Sequence, residues 1–309
     1  MVTERQAALF LKTRFGQPVD GLAPIGVGEW SRAYAYRLAG QEYVIRFSTH
    51  GEDFAKDRLA TRYASASLPV PPLLEVGEAY DGSYAIATRV AGSYLDDVDA
   101  SQMRELLPAL LAVLDELRAA DIAATRGYGL WDATGTAPFA SWRAALGDVV
   151  NDRPTDRIYG WRARLAASAT GMGPFSRALT PFQALLEQVP EERSLIHRDL
   201  LHFNVLVADS RITAVLDWGD SWYGDFVYEV AWLAFWSAWY PAWRDIDFAS
   251  EAQRHFAAIG LTVPDFAARL RCYELHIGLD GQAYCAFAGH WDDLAWTARR
   301  TLEVVESLG

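Results

Sequence analysis

The sequence lacks any apolar segment long enough to cross a lipid bilayer. Its longest uncharged stretch runs from Val230 to Trp243, spans 14 residues and contains Pro241, whereas a membrane-spanning helix needs about 20 apolar residues. We therefore interpret this stretch as a buried helix and expect no membrane partner. The first residues carry charges of both signs before any apolar run, which is unlike a secretory signal, so we expect a cytoplasmic protein.

Cysteine and lysine are also scarce. The two cysteines, Cys272 and Cys285, form no cluster with metal-binding spacing, and we expect both to be core thiols. The only lysines are Lys12 and Lys56, both in predicted helices. Any cation that a predicted strand presents to a ligand must therefore be an arginine.

Basic charge is deficient overall. The chain has 28 basic and 40 acidic residues, giving a net charge of −12, which argues against a nucleic-acid partner because phosphate contacts demand a basic surface. The excess of acidic residues is largest from Trp218 onward, where there are 13 acidic and 6 basic residues. This end suits a cationic substrate, although a solvated helix face is the commoner place for any single carboxylate.

Three polar residues in one short run carry the chemistry. Asp199 follows His197 in a His-x-Asp pattern, Asn204 lies five residues later, and Asp217 lies thirteen beyond that. This spacing matches a phosphoryl-transfer site, in which one aspartate accepts the proton of the acceptor hydroxyl. Asn204 and Asp217 would supply oxygen ligands to Mg²⁺, which keeps several waters and takes further ligands from the nucleotide.

The residues between the metal ligands predict a hairpin. Val205–Val207 and Ile212–Leu216 are apolar and β-branched, so they are expected to pair and to bring Asn204 beside Asp217. Two alternatives remain open: a capped turn with no chemical role, and an iron-binding facial triad. The triad would combine His197 and Asp199 with a distant histidine: His255, His276 or His290.

Periodicity predicts an α+β protein with two lobes. A capped helix near Thr3, alternating segments over 32–38 and 42–48, a helix over 52–66 and strands over 73–76 and 83–90 predict a small antiparallel-sheet lobe. The pattern is helical from Ser101 onward, apart from the short hairpin and from 125–157, which is hard to place. Late helices are expected over 226–240, 250–259, 264–286 and Asp292–Leu308. We expect lobes at 1–91 and 92–309, in a monomer.

Candidate nucleotide ligands lie in the first lobe. Gly26, Gly28 and Ser31 form a glycine-containing loop between two strands, which fits a phosphate-binding loop and equally fits a plain turn. Arg46 is the candidate phosphate clamp, because arginine can grip two oxygens. Asp57, in the next helix, is the acidic residue favoured to orient it. A strand end at Thr88, Arg89 and Val90 could offer backbone groups to adenine.

With these residues placed, the chain resembles the aminoglycoside phosphotransferase family, most closely its hygromycin B branch. The resemblance implies a protein-kinase-like fold and transfer of phosphate from ATP, with GTP as a possible donor, to an aminocyclitol antibiotic. It also implies drug resistance. The catalytic loop departs from the family at His202 and Phe203, where smaller or more polar residues are usual. The resemblance is carried by Gly28-Glu29-Trp30-Ser31-Arg32-Ala33, Lys56-Asp57-Arg58, Ala64 to Pro71, Arg211 to Trp218, Gly224-Asp225, Tyr228 to Ala231 and Ile277 to Asp280.

A cationic aminoglycoside needs carboxylates and aromatic faces. The acidic and aromatic candidates for substrate binding are Asp225, Glu229, Asp280, Asp292, Trp236 and Trp239. Asp225 and Glu229 could equally support the catalytic loop, and the tryptophans could equally belong to the core. Competing functions are a kinase of choline-like or amino-alcohol metabolites, a macrolide kinase of the same fold, and a nucleotide-binding regulator without catalysis.

Overall fold

The computed structural model describes residues 2–28 and 30–307. Glu29, within the predicted phosphate loop, and Leu308, the predicted end of the last helix, lie outside the described residues. Across the described ranges, no helix is both long enough and apolar enough to span a bilayer.

The N-terminal part consists of one helix packed on a five-stranded antiparallel sheet. Helix α1 (Glu4–Phe15) begins at a capping box in which the Thr3 hydroxyl accepts from the Gln6 N–H and the Gln6 amide accepts from the Thr3 N–H. Ala7 and Leu11 of α1 join the aromatic core of this sheet. In spatial order the strands are β1 (Asp20–Val27), β2 (Ser31–Leu38), β3 (Gln41–Ser48), β5 (Gly82–Thr88) and β4 (Leu73–Ala79).

Helix α2 (Gly51–Ala60) connects β3 to β4 and is shorter than predicted. The chain tightens into a 3-10 turn at Thr61–Tyr63, whereas the sequence predicted a helix as far as residue 66. The reason is local, because the Ser65 hydroxyl accepts from the N–H groups of Ser67 and Leu68 and so fixes a turn before the prolines.

The C-terminal part is mainly helical. Its helices are α3 (Ala100–Ala119), α4 (Trp142–Gly147), α5 (Trp161–Ala167), α6 (Gly173–Leu186), α7 (Val227–Trp236), α8 (Phe248–Ala258), α9 (Phe266–Ala288) and α10 (Trp291–Glu306). Its strands are β6 (Ser93–Tyr94), β7 (Gly129–Leu130), β8 (Ser194–Ile196), β9 (Val205–Ala208), β10 (Arg211–Val215) and β11 (Trp222–Gly224). They form two small sheets with spatial orders β10-β9-β6 and β7-β11-β8. The segment that resisted prediction contains β7 and α4.

Two hydrophobic clusters organise the chain. The smaller lies between α1 and the five-stranded sheet, and the larger surrounds α9, which contacts α5, α6, α7 and α10. The predicted α+β fold, with an antiparallel-sheet N-terminal lobe and a helical C-terminal lobe, is confirmed. The predicted lobe boundary after residue 91 falls in the connection between β5 and β6.

Candidate active site

The β9–β10 hairpin brings the two predicted metal ligands to one end. The strands pair in antiparallel register with Val205 opposite Val215, as their sequence predicted. One residue beyond that pair, the Leu216 N–H donates to the Asn204 carbonyl at 2.7 Å. Asn204 and Asp217 therefore flank the last hydrogen bond of the hairpin, and the loop containing Asp199 leads directly into it.

His197 connects the loop that contains Asp199 to the backbone at Leu216. Its buried ring contacts the Leu216 carbonyl through Nε2 at 2.9 Å and the Asp199 N–H through Nδ1 at 3.2 Å. A carbonyl can only accept and an N–H can only donate, so the ring must be neutral with its proton on Nε2. Burial lowers the pKa of His197 to about 4.

We therefore predict that His197 stays in the neutral Nε2–H form well below pH 6. The unfolded chain takes up this proton near pH 6.5 and the folded chain does not. The neutral ring thus contributes stability that is fully present above pH 6.5 and is lost as the pH falls through about 4. Long-range ¹H–¹⁵N spectra of the imidazole nitrogens measure this directly. A titration midpoint near that of free histidine would contradict the assignment.

Hydrogen bonds reach both carboxylate oxygens of Asp199. The Asn204 amide nitrogen donates to Oδ2 at 2.8 Å and to the Asp199 carbonyl at 3.1 Å, and His202 Nδ1 lies 2.7 Å from Oδ1. The side chain retains 29% of its exposure. Burial raises the pKa of Asp199, and His202 opposes the rise. The arrangement gives an oriented, accessible proton acceptor, since each carboxylate oxygen keeps a second lone pair.

His202, one of the two positions at which the catalytic loop departs from the family, contacts the proposed proton acceptor directly. Besides its bond to Asp199, its ring packs edge-on against Trp232 and Trp236, with ring centroids 6.0 and 5.0 Å away. The backbone of the loop is unusual at three positions, where Arg198, His202 and Phe203 have φ values of 72°, 55° and 69°. Such left-handed conformations favour glycine and asparagine. Because none of these three residues is glycine or asparagine, the sequence did not predict the conformations.

Asn204 and Asp217 fit a magnesium site. The amide nitrogen of Asn204 points at Asp199, which leaves its amide oxygen for a cation, and Asp217 adds a carboxylate at the same end of the hairpin. Two protein oxygens suffice when nucleotide phosphates and water complete the shell. An iron triad receives no support: within 2–28 and 30–307, no three histidine, cysteine or acidic side chains group as metal ligands.

Arg46 and Asp57 form an ion pair that also reaches the metal-ligand loop. The Arg46 guanidinium donates to Asp57 Oδ2, while Asp57 Oδ1 accepts from the Trp218 N–H at 2.8 Å. Burial alone would lower the pKa of Arg46, but the carboxylates of Asp57 and Asp217 raise it, so the cation stays charged beside the site. Asp57 thereby connects the candidate clamp to the residue after Asp217.

The glycine-containing loop is the β1–β2 turn. Gly26 pairs with Ala33 across the two strands, and the Gly28 N–H donates to the Ser31 carbonyl at 3.0 Å. Gly28 is exposed. Neither glycine has a positive φ, so the loop needs no glycine for its backbone conformation, and a role over phosphates stays a prediction.

The end of β5 borders a cleft. Thr88 and Val90 line it together with Thr213 and the proline-rich segment 69–72, around a volume of about 280 Å³. The Arg89 N–H already donates to the Glu42 carbonyl, and the Arg89 side chain faces the Glu42 carboxylate. The Arg89 N–H is therefore not available to adenine, and a backbone contact from this strand end stays a prediction.

Comparison with known proteins agrees with this geometry. Residues 21–270 match the phosphotransferase enzyme family. The chain belongs to this family. It is 32% identical to hygromycin-B 4-O-kinase from Escherichia coli, over 99% of this chain and 86% of that protein.

Solved structures of the phosphotransferase family support the same placement. The crystal structure of aminoglycoside phosphotransferase APH(4)-Ia is 31% identical, with a TM-score of 0.86 over 99% of both chains. A thermostable mutant of that protein, in a ternary complex with AMP-PNP and hygromycin B, is 32% identical, with a TM-score of 0.84 over 97% of this chain and 98% of that one. The resemblance inferred from the sequence is confirmed.

Two of the predicted substrate residues are structural in this phosphotransferase. Asp225 is fully buried, and both its oxygens accept from the Arg269 guanidinium, at 2.6 and 2.8 Å. Glu229 is also buried, and its Oε1 accepts from the Arg198 N–H at 2.7 Å. Neither carboxylate can meet a ligand, because solvent does not reach it. Of the two roles predicted for this pair, the structural one describes both. Glu229 holds the backbone of the catalytic loop, and Asp225 Oδ1 also accepts from the Val227 N–H at 3.0 Å, at the start of α7.

Replacing Asp225 by asparagine should lower the free energy of unfolding by about 3 kcal/mol, because Arg269 would lose its buried anionic partner and keep only its ion pair with the partly exposed Glu192. Urea denaturation followed by tryptophan fluorescence measures the change. Glu251→Gln is the matched control, since its ion pair with Arg254 is exposed and should be worth at most about 1 kcal/mol. Equal losses in the two variants would refute the structural role of Asp225.

The other predicted substrate residues differ in access. Trp236 is buried, stacked on Trp296 with ring centroids 5.6 Å apart, so it supports His202 rather than presenting a free face. Trp239 is 38% exposed, so its ring can contact a ligand. Asp292 lies exposed in the first turn of α10, and Asp280 forms an ion pair with Arg198.

Proposed function

We propose that this chain is an ATP-dependent O-phosphotransferase that phosphorylates a hydroxyl of an aminoglycoside or aminocyclitol antibiotic, with hygromycin B or a close relative as the substrate, and so confers resistance. The observation that carries the proposal is the oriented carboxylate of Asp199, held by Asn204 and His202 beside Asp217. The 32% identity to a hygromycin-B kinase over nearly the whole chain supports the substrate class.

The residues divide the reaction between them. ATP and Mg²⁺ supply an activated phosphoryl group whose charge is partly neutralised. Asp199 accepts the proton of the antibiotic hydroxyl as its oxygen forms a bond to the γ-phosphorus and the bond to the β,γ-bridging oxygen breaks. Asn204 and Asp217 hold the cation, and Arg46 grips phosphate oxygens from the N-terminal sheet. The phosphate clamp is thus an arginine, not a lysine.

The side of the site that would receive the antibiotic, called the acceptor side below, favours a cationic substrate. Carboxylates of Asp220 and Asp280 lie at its edge, partly exposed to solvent, and Asp220 acts electrostatically on Asp199. Trp239 presents an exposed ring that could pack against a sugar. These features suit an acceptor that carries both ammonium groups and hydroxyls, which describes an aminoglycoside better than a macrolide.

Antibiotic susceptibility of a host that expresses the chain tests the substrate class. We expect the inhibitory concentration of hygromycin B to rise at least tenfold over that of an empty-vector host, with little change for macrolides. The Asp199→Asn variant, at equal expression, should give no protection. Resistance to macrolides alone, or turnover of choline without turnover of any aminoglycoside, would replace the proposal with one of the competing kinase functions.

A further inference from the structure

Arg198, directly before Asp199, places a cation inside the acidic acceptor side. The residue is only 4% exposed. Its guanidinium forks between the carboxylates of Asp220 and Asp280 and lies 4.4 Å from the centroid of the Trp222 ring. None of the steps assigned to the reaction uses this side chain, so the reaction itself does not explain why a buried cation lies here.

The backbone at Arg198 indicates that the side chain compensates for strain. Its φ of 72° costs a non-glycine residue roughly 1–3 kcal/mol. The Glu229 carboxylate holds the Arg198 N–H in this conformation. Glycine would adopt this conformation without cost. The conformational cost of arginine here is therefore offset by the contacts of its guanidinium. Those contacts are the two carboxylates and the Trp222 ring.

The two carboxylates remain partly open to solvent. The side chain of Asp280 is 32% exposed and that of Asp220 is 56% exposed, although both are bonded to the same guanidinium. Within this group of three side chains, two negative charges and one positive charge leave one net negative charge, and the Lys56 ammonium also acts electrostatically on Asp220. An approaching ammonium group therefore meets half the net charge that the carboxylates alone would present, because Arg198 repels it.

We propose that Arg198 is a specificity-determining residue, whose guanidinium occupies the place where an ammonium group of a polycationic acceptor would otherwise bind between Asp220 and Asp280. The chain would then favour aminoglycosides with fewer ammonium groups over those with more. This inference rests on the proposed function, since it concerns which members of that substrate class are accepted. Arg198 acts through the two carboxylates and is a positioning residue, not a catalytic one.

The decisive comparison uses Arg198→Gly, which suits the left-handed backbone. Hygromycin B and neomycin, which carries more amino groups, are the two acceptors. We expect Arg198→Gly to lower KM for neomycin roughly tenfold, equivalent to one ion pair worth about 1.4 kcal/mol, with a smaller change for hygromycin B and none in KM for ATP. Neomycin binding by isothermal titration calorimetry gives the same readout without turnover.

Two further variants separate this role from a structural one. In Arg198→Gly/Asp280→Asn the gain for neomycin should disappear, because one of the freed carboxylates is gone. Arg198→Gln, which removes the positive charge but keeps most of the side chain, should lower the KM for neomycin as Arg198→Gly does. An unchanged neomycin-to-hygromycin ratio of KM in folded Arg198→Gln would overturn the proposal even if Arg198→Gly did not fold.

The failure of this inference can be told apart from failure of the proposed function. If wild-type protein phosphorylates hygromycin B but the neomycin-to-hygromycin ratio of KM is the same in folded Arg198→Gly, the inference is wrong and the function stands. If wild type phosphorylates no aminoglycoside, the function is wrong. Absence of neomycin binding to every variant in the calorimeter would then overturn the inference as well.

Discussion

Replacing Asp199 by asparagine is expected to reduce kcat roughly 10²–10⁴-fold, the usual contribution of a positioned general base. Asparagine keeps the size of the side chain and can still accept a hydrogen bond from Asn204, but it cannot take the proton from the acceptor hydroxyl. The affinity for ATP should change little, because Asp199 faces the acceptor. Steady-state kinetics with an ADP-coupled assay and nucleotide titration measure the two quantities.

A conservative change elsewhere gives the control for Asp199→Asn. Asp81, exposed in the turn between β4 and β5, can be replaced by asparagine and should leave both kcat and nucleotide affinity unaltered. Retention of near wild-type turnover in Asp199→Asn would remove the proton acceptor from the account. A parallel loss of nucleotide binding would show that the carboxylate acts on the donor side instead.

Replacing Arg46 by alanine is expected to raise KM for ATP about tenfold and to lower kcat/KM roughly 10²-fold, as for loss of a donor aimed at developing charge. Unlike Asp199→Asn, this change should act on both nucleotide binding and rate, since the proposed clamp would contact phosphate in the ground state too. Arg46→Lys should recover only part of the loss, because lysine has no planar fork for two oxygens.

Arg37→Ala controls for the general effect of removing a cation from the same sheet, because Arg37 is exposed on β2. It should leave KM for ATP unchanged. If Arg46→Ala binds ATP as tightly as wild type while Asp57 variants lose stability, Arg46 is a structural partner of Asp57 and the phosphate clamp lies elsewhere.

The sequence predicted those parts of the site that are local in the chain. Asp199, Asn204 and Asp217 are separated by fixed short spacings, and the apolar strands between them can hardly pair in another way. The bounds of β9 and β10 accordingly agree with the predicted hairpin to within one residue at each end. Where two strands and a turn determine the geometry, a single sequence is enough.

The roles of the acidic residues could not be predicted, because burial depends on distant partners. Asp225 meets Arg269, 44 positions away, and Glu229 meets the backbone of Arg198, 31 positions away. From the sequence alone, both were as suitable for substrate as Asp280. Burial separates them, since a carboxylate that is fully enclosed and paired cannot bind a ligand.

Lys56 shows the same limit for a cation. Because Lys56 lies in a predicted helix, the sequence excluded it as the phosphate clamp but did not predict its contacts. Its ammonium donates to the Gly219 carbonyl and lies 4.8 Å from the Trp131 ring centroid. Burial lowers the pKa of Lys56 to about 8. It therefore fixes the loop after Asp217, while Arg46 points at Asp57.

The central claim is that this site transfers phosphate to an aminoglycoside hydroxyl through Asp199. The most direct measurement incubates the protein with ATP, Mg²⁺ and hygromycin B and then analyses the antibiotic by mass spectrometry and ³¹P NMR. The account predicts a single phosphate ester on one hydroxyl, formed by wild type and absent with Asp199→Asn. Recovery of unmodified hygromycin B while the folded wild-type protein binds ATP, or equal product from Asp199→Asn, would contradict it.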